Sequence, residues 1–161
     1  MEKFSHMKEQ LLDLAKKRRS IYALGRNISQ TPDEIADLIK KDIKWAPTPF
    51  NNQTTRAVIC YTDMDVVHRF ENDFALYADN FADWAEQAQG NAQFAVWTSL
   101  AENGIGANLQ HYNPLIDDQV KEAFGIPDSW KLRAQMDFGS IESPAGEKEF
   151  MNDEDRFKVL K

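Results

Sequence analysis

Two helices are predicted in the first third of the chain, where apolar residues recur at helical spacing. The first runs into the basic residues 16–19, whose positive charges suit the C-terminal end of a helix. The second begins at Thr31, which can form a capping box with Glu34, and carries Pro32 at its first helical position. The prolines within residues 46–49 end it. The apolar stripe of the first helix consists of Phe4, Met7, Leu11, Leu14 and Ala15, and that of the second consists of Ile35, Leu38, Ile39 and Ile43.

A long helix is predicted over residues 84–103, because apolar residues cover much of its circumference. Such a helix needs cover on several sides, so we expect it at the centre of the molecule, with a second subunit as one source of cover. Residues 70–81 predict helical turns that are interrupted near Asn80, and residues 114–124 predict a short helix that ends at Gly125.

Strands are predicted where the pattern is continuous or alternating rather than helical. Residues 56–61 form a continuous apolar run with β-branched members, which is typical of a buried strand. Residues 130–138 alternate apolar and polar side chains, the clearest strand pattern in the chain. Residues 105–110 predict a short strand or an extended loop, residues 139–147 a loop, and the alternation at residues 156–160 an extended C-terminal strand.

These elements predict the α+β fold class, with helices around a small mixed sheet. A length of 161 residues, of which 42% are hydrophobic, is enough for one domain with a core, so we assign residues 1–161 to a single domain. The net charge of −7 is unfavourable for binding nucleic acid over a broad surface. A local basic cluster can still hold one phosphate.

The cysteine and histidine content limits which disulfides, nucleophiles and metal sites the chain can form. The single cysteine, Cys60, excludes an internal disulfide and fits a reducing compartment, most simply the cytoplasm. Cys60 lies in an apolar run, which favours a packed thiol over a nucleophile. His6, His68 and His111 lack ligand spacing, so no metal site is assigned. No apolar run is long enough to cross a bilayer, and no secretory signal precedes the first helix, so no membrane partner is expected.

Three polar segments are candidates for binding a ligand, and each has a plainer interpretation. Residues 16–20 offer arginine forks and a serine hydroxyl that suit a phosphate, or they form a solvated helix end. The amides of residues 51–53 both donate and accept, which suits a flavin or a base, or they form a polar turn. Residues 108–113 combine amide and aromatic groups after the long helix, where they present binding groups or form a surface loop.

Taken in order along the chain, residues 18–22, 46–53 and 104–113 resemble the nitroreductase family, and residues 94–101 and 144–148 are similar to it as well. The resemblance is to the small bacterial and fungal subgroup sometimes labelled fatty-acid-repression or copper-induced nitroreductase-like proteins. It implies the nitroreductase fold and an FMN-dependent NAD(P)H oxidoreductase that reduces nitroaromatic or quinone-type acceptors by ping-pong hydride transfer. It also implies a homodimer with FMN at the interface. A non-catalytic flavin-binding or regulatory member of the same fold is the alternative.

The resemblance also implies which residues hold FMN, since family members use an arginine-x-serine motif, a proline-rich motif and the loop after the central helix. No catalytic side chain is assigned, because the cofactor carries the hydride chemistry. The residues that the resemblance assigns to the phosphate, or that lie beside it, are Arg18, Arg19, Ser20, Arg156 and Lys158. Those assigned to the flavin ring are Asn51, Gln53, Leu109, Gln110 and His111, the last three through backbone groups.

The chain departs from the pattern of this family at three places. Tyr22 stands where many relatives have a third basic residue, and Thr48 replaces the usual serine. Relatives in the subgroup carry a helix and most of a strand between the segments that match Ile59 and Tyr61. We therefore expect a fold that lacks one internal helix and part of a strand, with an open sheet edge as the consequence.

Overall fold

The computed structural model describes residues 9–57 and 61–158, and at residues 61–63 it describes the backbone alone. The predicted features at Phe4, Met7, Cys60 and residues 159–160 lie outside the described residues. The described helices are α1 (Gln10–Lys17), α2 (Pro32–Trp45), α3 (Met64–Asp73), α4 (Ala78–Glu102), α5 (Asp117–Phe124) and α6 (Asp153–Arg156). The described strands are β1 (Leu24–Gly25), β2 (Thr55–Arg56), β3 (Tyr61–Asp63), β4 (Gly106–Gln110), β5 (Trp130–Leu132) and β6 (Gln135–Ile141).

The two N-terminal helices form where the apolar stripes and the capping signals predict them. Helix α1 ends in basic residues, with Arg18 as its C-cap. At the start of α2, Thr31 Oγ1 accepts a hydrogen bond from the Glu34 N–H at 3.3 Å, and Glu34 Oε2 accepts one from the Thr31 N–H at 2.8 Å. These two bonds confirm the capping box, and the helix that they begin buries Ile35.

Helix α4 lies at the centre of the described chain, as its apolar circumference predicts. It contacts α1, α2, α3 and β4. One apolar cluster joins Leu100 of α4 to Ile35 of α2 and to Ala107 of β4. A second cluster joins Phe81, near the start of α4, to Val67 of α3. The helix is therefore the element against which the others pack.

Two three-stranded sheets lie beside α4, with strand orders β1-β6-β4 and β2-β3-β5. In the first sheet, β4 and β6 pair antiparallel in a register that places Gln110 opposite Gln135. Strand β1 pairs antiparallel with the other edge of β6. A parallel bridge between Ser20 and Ala107 makes the strand arrangement mixed. The predicted α+β class, with helices around a small mixed sheet, is confirmed.

The single buried strand predicted for residues 56–61 is wrong. Strands β2 and β3 are antiparallel neighbours with Arg56 opposite Tyr61, so the chain reverses direction between them. The pattern of residues 56–61 contains no glycine, proline or asparagine that would indicate such a reversal. Four residues, 57–60, separate the two strands, too few for a further helix and strand. Strand β2, two residues long, forms one edge of its sheet.

The single strand predicted for residues 130–138 is also wrong. Strand β5 ends at Leu132, β6 begins at Gln135, and the two belong to different sheets. The burial pattern changes at the break, since Gln135 is buried where the alternation predicts exposure and Phe138 is 42% exposed where it predicts burial. Gln135 can be buried because its amide is hydrogen-bonded to the Tyr112 N–H.

Two predicted helices begin or break at other residues. The interruption predicted near Asn80 falls earlier, because α3 stops at Asp73, a 3-10 turn occupies Ala75–Tyr77, and α4 begins at Ala78. The short helix predicted over residues 114–124 begins three residues later, at Asp117. Helix ends depend on local hydrogen bonds that periodicity does not specify.

The C-terminal part of the chain differs more from its prediction. Strand β6 continues into the predicted loop as far as Ile141, because Ile141 pairs with Leu24 of β1. The strand predicted at residues 156–160 is wrong for the described residues, since Asp153–Arg156 forms the single-turn helix α6. Asn152 is extended and three acidic residues follow it, an arrangement that favours the first turn of a helix.

Candidate functional site

The segment that follows α1 lies against the start of β4. Arg18 leaves the helix in an extended conformation, and Ser20 forms the parallel bridge to Ala107. The Ile21 N–H then donates to the Ala107 carbonyl oxygen at 2.9 Å. Asn108 adds a bond from its Nδ2 to the Ile21 carbonyl oxygen at 2.9 Å. The basic segment is therefore attached to the sheet through its own backbone.

A cavity of about 700 Å³ opens beside this segment. Arg18, Arg19 and Ser20 line one side of it, and residues 143–149 line the other. Arg19 Nη2 donates to the Gly146 carbonyl oxygen at 2.7 Å, which ties the basic segment to the loop opposite. Two guanidinium groups and a hydroxyl thus share a cavity, and such donors suit a phosphate.

Arg18 lines this cavity and packs its guanidinium group on an aromatic ring. Its guanidinium carbon lies 4.4 Å from the centroid of the Trp97 ring, a distance at which the cation and the ring attract each other. The Arg18 Nε is buried and finds no hydrogen-bond partner in the described part of the chain. A buried donor without a partner costs about 1–3 kcal/mol. Because this Nε is out of contact with solvent, an anion in the cavity would reach it only if the Arg18 side chain moves.

The proline-rich loop adopts a left-handed turn. Phe50, Asn51 and Gln53 have φ angles of 50°, 51° and 48°, a conformation that costs energy for residues other than glycine. Thr48 closes the turn, because its Oγ1 accepts from the Gln53 N–H at 3.2 Å and its carbonyl accepts from the Asn51 N–H at 3.1 Å. The side chains of Asn51 and Gln53 are exposed, whereas Asn52 is buried and neither of its amide atoms finds a partner among the residues that the structure describes. The turn therefore offers two exposed amides to a ligand or to a second subunit.

An aromatic cluster supports this turn. The ring of Phe50 stacks on that of Phe74 with 4.9 Å between centroids, and it lies 5.9 Å from Phe81 and 6.2 Å from Trp84. Contacts of this kind contribute about 0.5–1.5 kcal/mol each beyond apolar burial, enough to offset the cost of a left-handed residue. The cluster thus fixes the turn against the start of α4.

The far end of β4 leads into the other predicted ring-binding segment. Leu109 and Gln110 are half-buried and paired with β6, and His111 is exposed just beyond the strand. Gln110 Nε2 donates to Asn108 Oδ1 at 2.6 Å, so the end of the strand is joined to the residue that also holds Ile21. Strand β4 therefore connects the basic segment to this loop.

Two carboxylates outside the cavity have shifted pKa values with structural causes. Burial raises the pKa of Asp42, the hydrogen bond from Ser99 Oγ at 3.0 Å partly opposes this, and the charge of Glu102 raises the pKa further. The capping-box bonds from Thr31 lower the pKa of Glu34. Neither carboxylate lines the cavity around Arg18, so neither is a candidate acid or base there.

The described residues contain neither a candidate metal site nor a candidate membrane-spanning helix. Within residues 9–57 and 61–158, no group of three or more histidine, cysteine, aspartate or glutamate side chains could hold a metal ion. Of the helices that the structure describes, none has the length and apolar character needed to span a bilayer.

Comparisons with a family model and with known proteins show to which family the chain belongs. The model of the nitroreductase family matches residues 61–140 of the chain. HBN1 of Saccharomyces cerevisiae, a protein named as a nitroreductase, is 30% identical over an alignment of 177 positions that covers 85% of this chain and 91% of HBN1. The chain belongs to the nitroreductase family. Because 177 positions exceed the 161 residues of this family member, HBN1 has residues with no counterpart here.

Solved nitroreductases share the fold of this family member. The nitroreductase CinD of Lactococcus lactis, in complex with nicotinic acid, is 42% identical with a TM-score of 0.90, and the match covers 94% of this chain and 100% of that one. CinD has also been solved with 4-nitrophenol. A protein of Exiguobacterium sibiricum in complex with FMN has a TM-score of 0.74 at 14% identity, with 96% and 99% of the two chains covered, a likeness of fold alone. Membership of this family makes the chain an oxidoreductase.

The residues predicted to hold the phosphate fall into two groups in this nitroreductase fold. Arg18, Arg19 and Ser20 come together in one cavity. Arg156 and Lys158 are exposed at the end of the described chain and do not line that cavity. The Arg156 guanidinium instead lies 5.3 Å from the centroid of the Phe157 ring. The assignment of both groups to a phosphate stays a prediction.

The residues predicted to contact the flavin ring lie on two separate segments. Asn51 and Gln53 belong to the left-handed turn before β2, and Leu109, Gln110 and His111 belong to the end of β4. None of the five lines the cavity around Arg18 within this subunit. Their joint contact with a flavin also stays a prediction.

Two residues that contact or adjoin the predicted site residues are missing from the predicted set. The sequence pattern places Trp97 on the apolar face of α4 and carries no sign that its ring contacts Arg18. Asn52 lies between two predicted ring residues, yet it is the buried amide of the three. A run of adjacent amides is the available signal for Asn52, but which of them turns inward depends on the left-handed turn.

Proposed function

We propose that this chain is an FMN-dependent NAD(P)H oxidoreductase that reduces nitroaromatic or quinone-type acceptors by a ping-pong scheme. The observation that carries the proposal is that Arg18, Arg19 and Ser20 line a single cavity. FMN, when bound, supplies the hydride transfer between NAD(P)H and the acceptor. A single domain over residues 1–161 and a cytoplasmic location complete the proposal.

The groups around Arg18 fit a phosphate. A phosphate there would meet Arg18, Arg19 and Ser20, while the Trp97 ring holds the Arg18 guanidinium in place. Arg156 and Lys158 would add positive charge from the exposed C-terminal part of the described chain. In a chain with a net charge of −7, such a local cluster is what allows an anion to bind.

The amides and the backbone of the two ring segments fit the edge of a flavin. Asn51 and Gln53 present side chains that both donate and accept. Backbone N–H groups at residues 109–111 would stabilise the negative charge that develops when the ring is reduced. CinD binds nicotinic acid, a pyridine like the nicotinamide of NAD(P)H, and 4-nitrophenol, a nitroaromatic. These are the two ligand classes that the proposed reaction needs.

A second copy of the chain fits the exposed apolar side of the helices. Leu11 of α1 is 68% exposed, Trp45 of α2 is 89% exposed and Phe94 of α4 is 43% exposed, and all three line one open depression. Large apolar side chains grouped on a surface are typical of a protein interface. The proposed homodimer would cover them and would bring FMN to the interface between the subunits.

An anaerobic titration of the purified protein tests the proposal. We expect flavin absorption bands, FMN in the fraction released by heat, and loss of the oxidised bands on addition of NADH or NADPH. Addition of a quinone or a nitroaromatic should then restore the bands. Absence of flavin bands, together with no rise in the unfolding temperature when FMN is added, would overturn the proposal.

A non-catalytic flavin-binding or regulatory protein is the second candidate. The shortened connection between β2 and β3 favours it, because the chain lacks residues that HBN1 contains. The same titration separates the two candidates. FMN that stays oxidised in excess NADH and NADPH, in a protein that FMN stabilises, supports the second.

A further inference from the structure

A buried amide holds the loop that follows β4. Gln135, at the start of β6, is 8% exposed, and its Oε1 accepts a hydrogen bond from the Tyr112 N–H at 3.0 Å. Its Nε2 donates to Asn113 Oδ1 at 3.5 Å. Strand pairing between β4 and β6 ends at Gln110, so Gln135 holds the peptide that lies two residues beyond the last strand pair.

Asn113 extends this contact to two other elements. Its Nδ2 donates to the Leu132 carbonyl oxygen of β5 at 3.0 Å and to Asp117 Oδ1, at the start of α5, at 2.8 Å. The backbone after β4 is therefore linked through side-chain amides to both sheets and to a helix. Gln135 and Asn113, which carry these bonds, are called here the amide clamp.

We propose that Gln135 and Asn113 are positioning residues, which orient the backbone of residues 109–111 toward the flavin ring. The inference rests on the proposed function, since it assumes that this backbone contacts FMN. Donors stabilise developing charge only when they are fixed before the reaction, and small errors in their position cost rate. The clamp supplies that fixation at the point where the strand ladder stops.

The chemistry of the clamp suits positioning better than filling of the core. Leu132 and Ala134 beside it are buried and apolar, and an apolar residue at position 135 would need no hydrogen-bond partners. A carboxamide can accept from one group and donate to another, so it joins the Tyr112 peptide to Asn113. Buried polar groups that are satisfied in this way hold a single arrangement of the backbone.

Two substitutions at position 135 test the inference. Gln135→Met keeps the length of the side chain and removes both bonds, whereas Gln135→Glu can still accept from the Tyr112 N–H but cannot donate to Asn113 when ionised. Gln119→Met, at an exposed glutamine of α5, is the matched control. In the protein freed of FMN, amide hydrogen exchange at Tyr112 should be faster in Gln135→Met than in the wild type or the control.

The same variants are then loaded with FMN. We expect Gln135→Met to bind FMN with an affinity within about threefold of the wild type, yet to shift the reduction potential of the flavin. The rate at which NADH reduces the flavin should fall by about ten- to hundredfold in Gln135→Met, which is the loss expected when a catalytic group is misplaced. The rate in Gln135→Glu should lie between those of the wild type and Gln135→Met. A role in stability alone would lower the unfolding temperature without moving the potential.

The outcomes separate this inference from the proposed function. A wild-type protein that binds and turns over FMN, with the same potential and rate in all variants, overturns the clamp and leaves the proposed function standing. Unchanged hydrogen exchange at Tyr112 in Gln135→Met overturns it without any flavin. A wild-type protein that binds no FMN overturns both proposals. If Gln135→Met does not fold, Gln135→Glu decides on the same readouts.

Discussion

The two ends of β4 are held in different ways. At its start, the Ala107 backbone is paired with Ser20 and Ile21, and its side chain packs in one cluster with Leu100. Beyond its end, the Tyr112 N–H is held by side-chain amides instead. Apolar packing is non-directional and large, whereas an amide bond is directional and can be removed by one substitution. We therefore expect the start of β4 to contribute mainly to the stability of the fold, and the end of β4 mainly to the orientation of the backbone that follows it.

Removal of packing at the start of β4 has the largest expected effect. Leu100→Ala should lower the free energy of unfolding by about 2–5 kcal/mol, because Leu100 is fully buried and its removal leaves a cavity. Unfolding in urea measures this loss. The control Leu115→Ala, at a residue 84% exposed, should change stability by less than about 0.5 kcal/mol. Equal losses in the two variants would contradict the core described here.

The basic segment at the start of β4 is expected to act on ligand affinity rather than on stability. Arg18→Ala should weaken FMN binding by about 1.5–3 kcal/mol, the size of a hydrogen bond to a charged group. In the FMN-free variant, loss of the contact with the Trp97 ring lowers stability, and loss of an Nε that has no partner among the described residues opposes this, so the free energy of unfolding should change by less than about 1 kcal/mol. Lys16→Ala is the control, since Lys16 is an exposed cation of α1 paired with Asp13 at 3.7 Å. Fluorescence titration with FMN measures the affinity of each variant. Equal affinities of Arg18→Ala and Lys16→Ala would show that Arg18 does not bind the phosphate.

Asn108 is hydrogen-bonded to Ile21, beside the start of β4, and to Gln110, at the end of β4. We therefore expect its substitution to have an intermediate effect on stability. Asn108→Ala removes the donor to the Ile21 carbonyl and the acceptor for Gln110, and we expect a loss of about 1–3 kcal/mol in unfolding free energy. Asn91→Ala breaks an exposed bond to the Pro47 carbonyl and should cost less than about 0.5 kcal/mol. Similar losses would mean that burial of the Asn108 bonds is unimportant.

The smallest expected effect concerns Asp42, which bonds α2 to α4 through Ser99. Burial raises the pKa of Asp42, so ionisation is less favourable in the folded chain than in the unfolded one. The wild type should lose stability relative to Asp42→Asn as pH rises from below the unfolded pKa to above the raised folded value. At neutral pH the variant should be more stable by less than about 1 kcal/mol, since the site is half-buried.

Thermal unfolding at several pH values measures this difference. The two proteins should converge near pH 3, where both side chains are neutral, and Ser99 Oγ can donate to the amide oxygen of the variant as it does to the carboxylate. A difference that stays constant over the whole range would show that burial does not raise the pKa of Asp42.

Helices are the part of this fold that the sequence predicts well, and strand pairing is the part that it does not. The capping box at Thr31 and Glu34 and the apolar circumference of α4 depend on contacts within one or two helical turns. Alternation identifies extended chain but not its partner. The reversal after Arg56 and the break after Leu132 therefore pass unseen in the pattern.

The candidate site also combines residues that the sequence predicts with residues that it does not. Arg18 and Ser20 can be proposed from sequence because two cations and a hydroxyl lie within a few positions of each other. The ring of Trp97 beneath Arg18 cannot, because the helical period explains that tryptophan equally well as core. Burial of Gln135 runs against its own alternation, so sequence reasoning places its side chain in solvent.

The order of the amino acids determined the main helices and the basic segment of this protein, since each of these depends on residues that are close neighbours in the chain. Tertiary structure alone decided which distant groups meet: the indole of Trp97 with Arg18, and the amide of Gln135 with the Tyr112 peptide. Such pairs form because packing around α4 brings together side chains that are far apart in the sequence when it buries apolar surface.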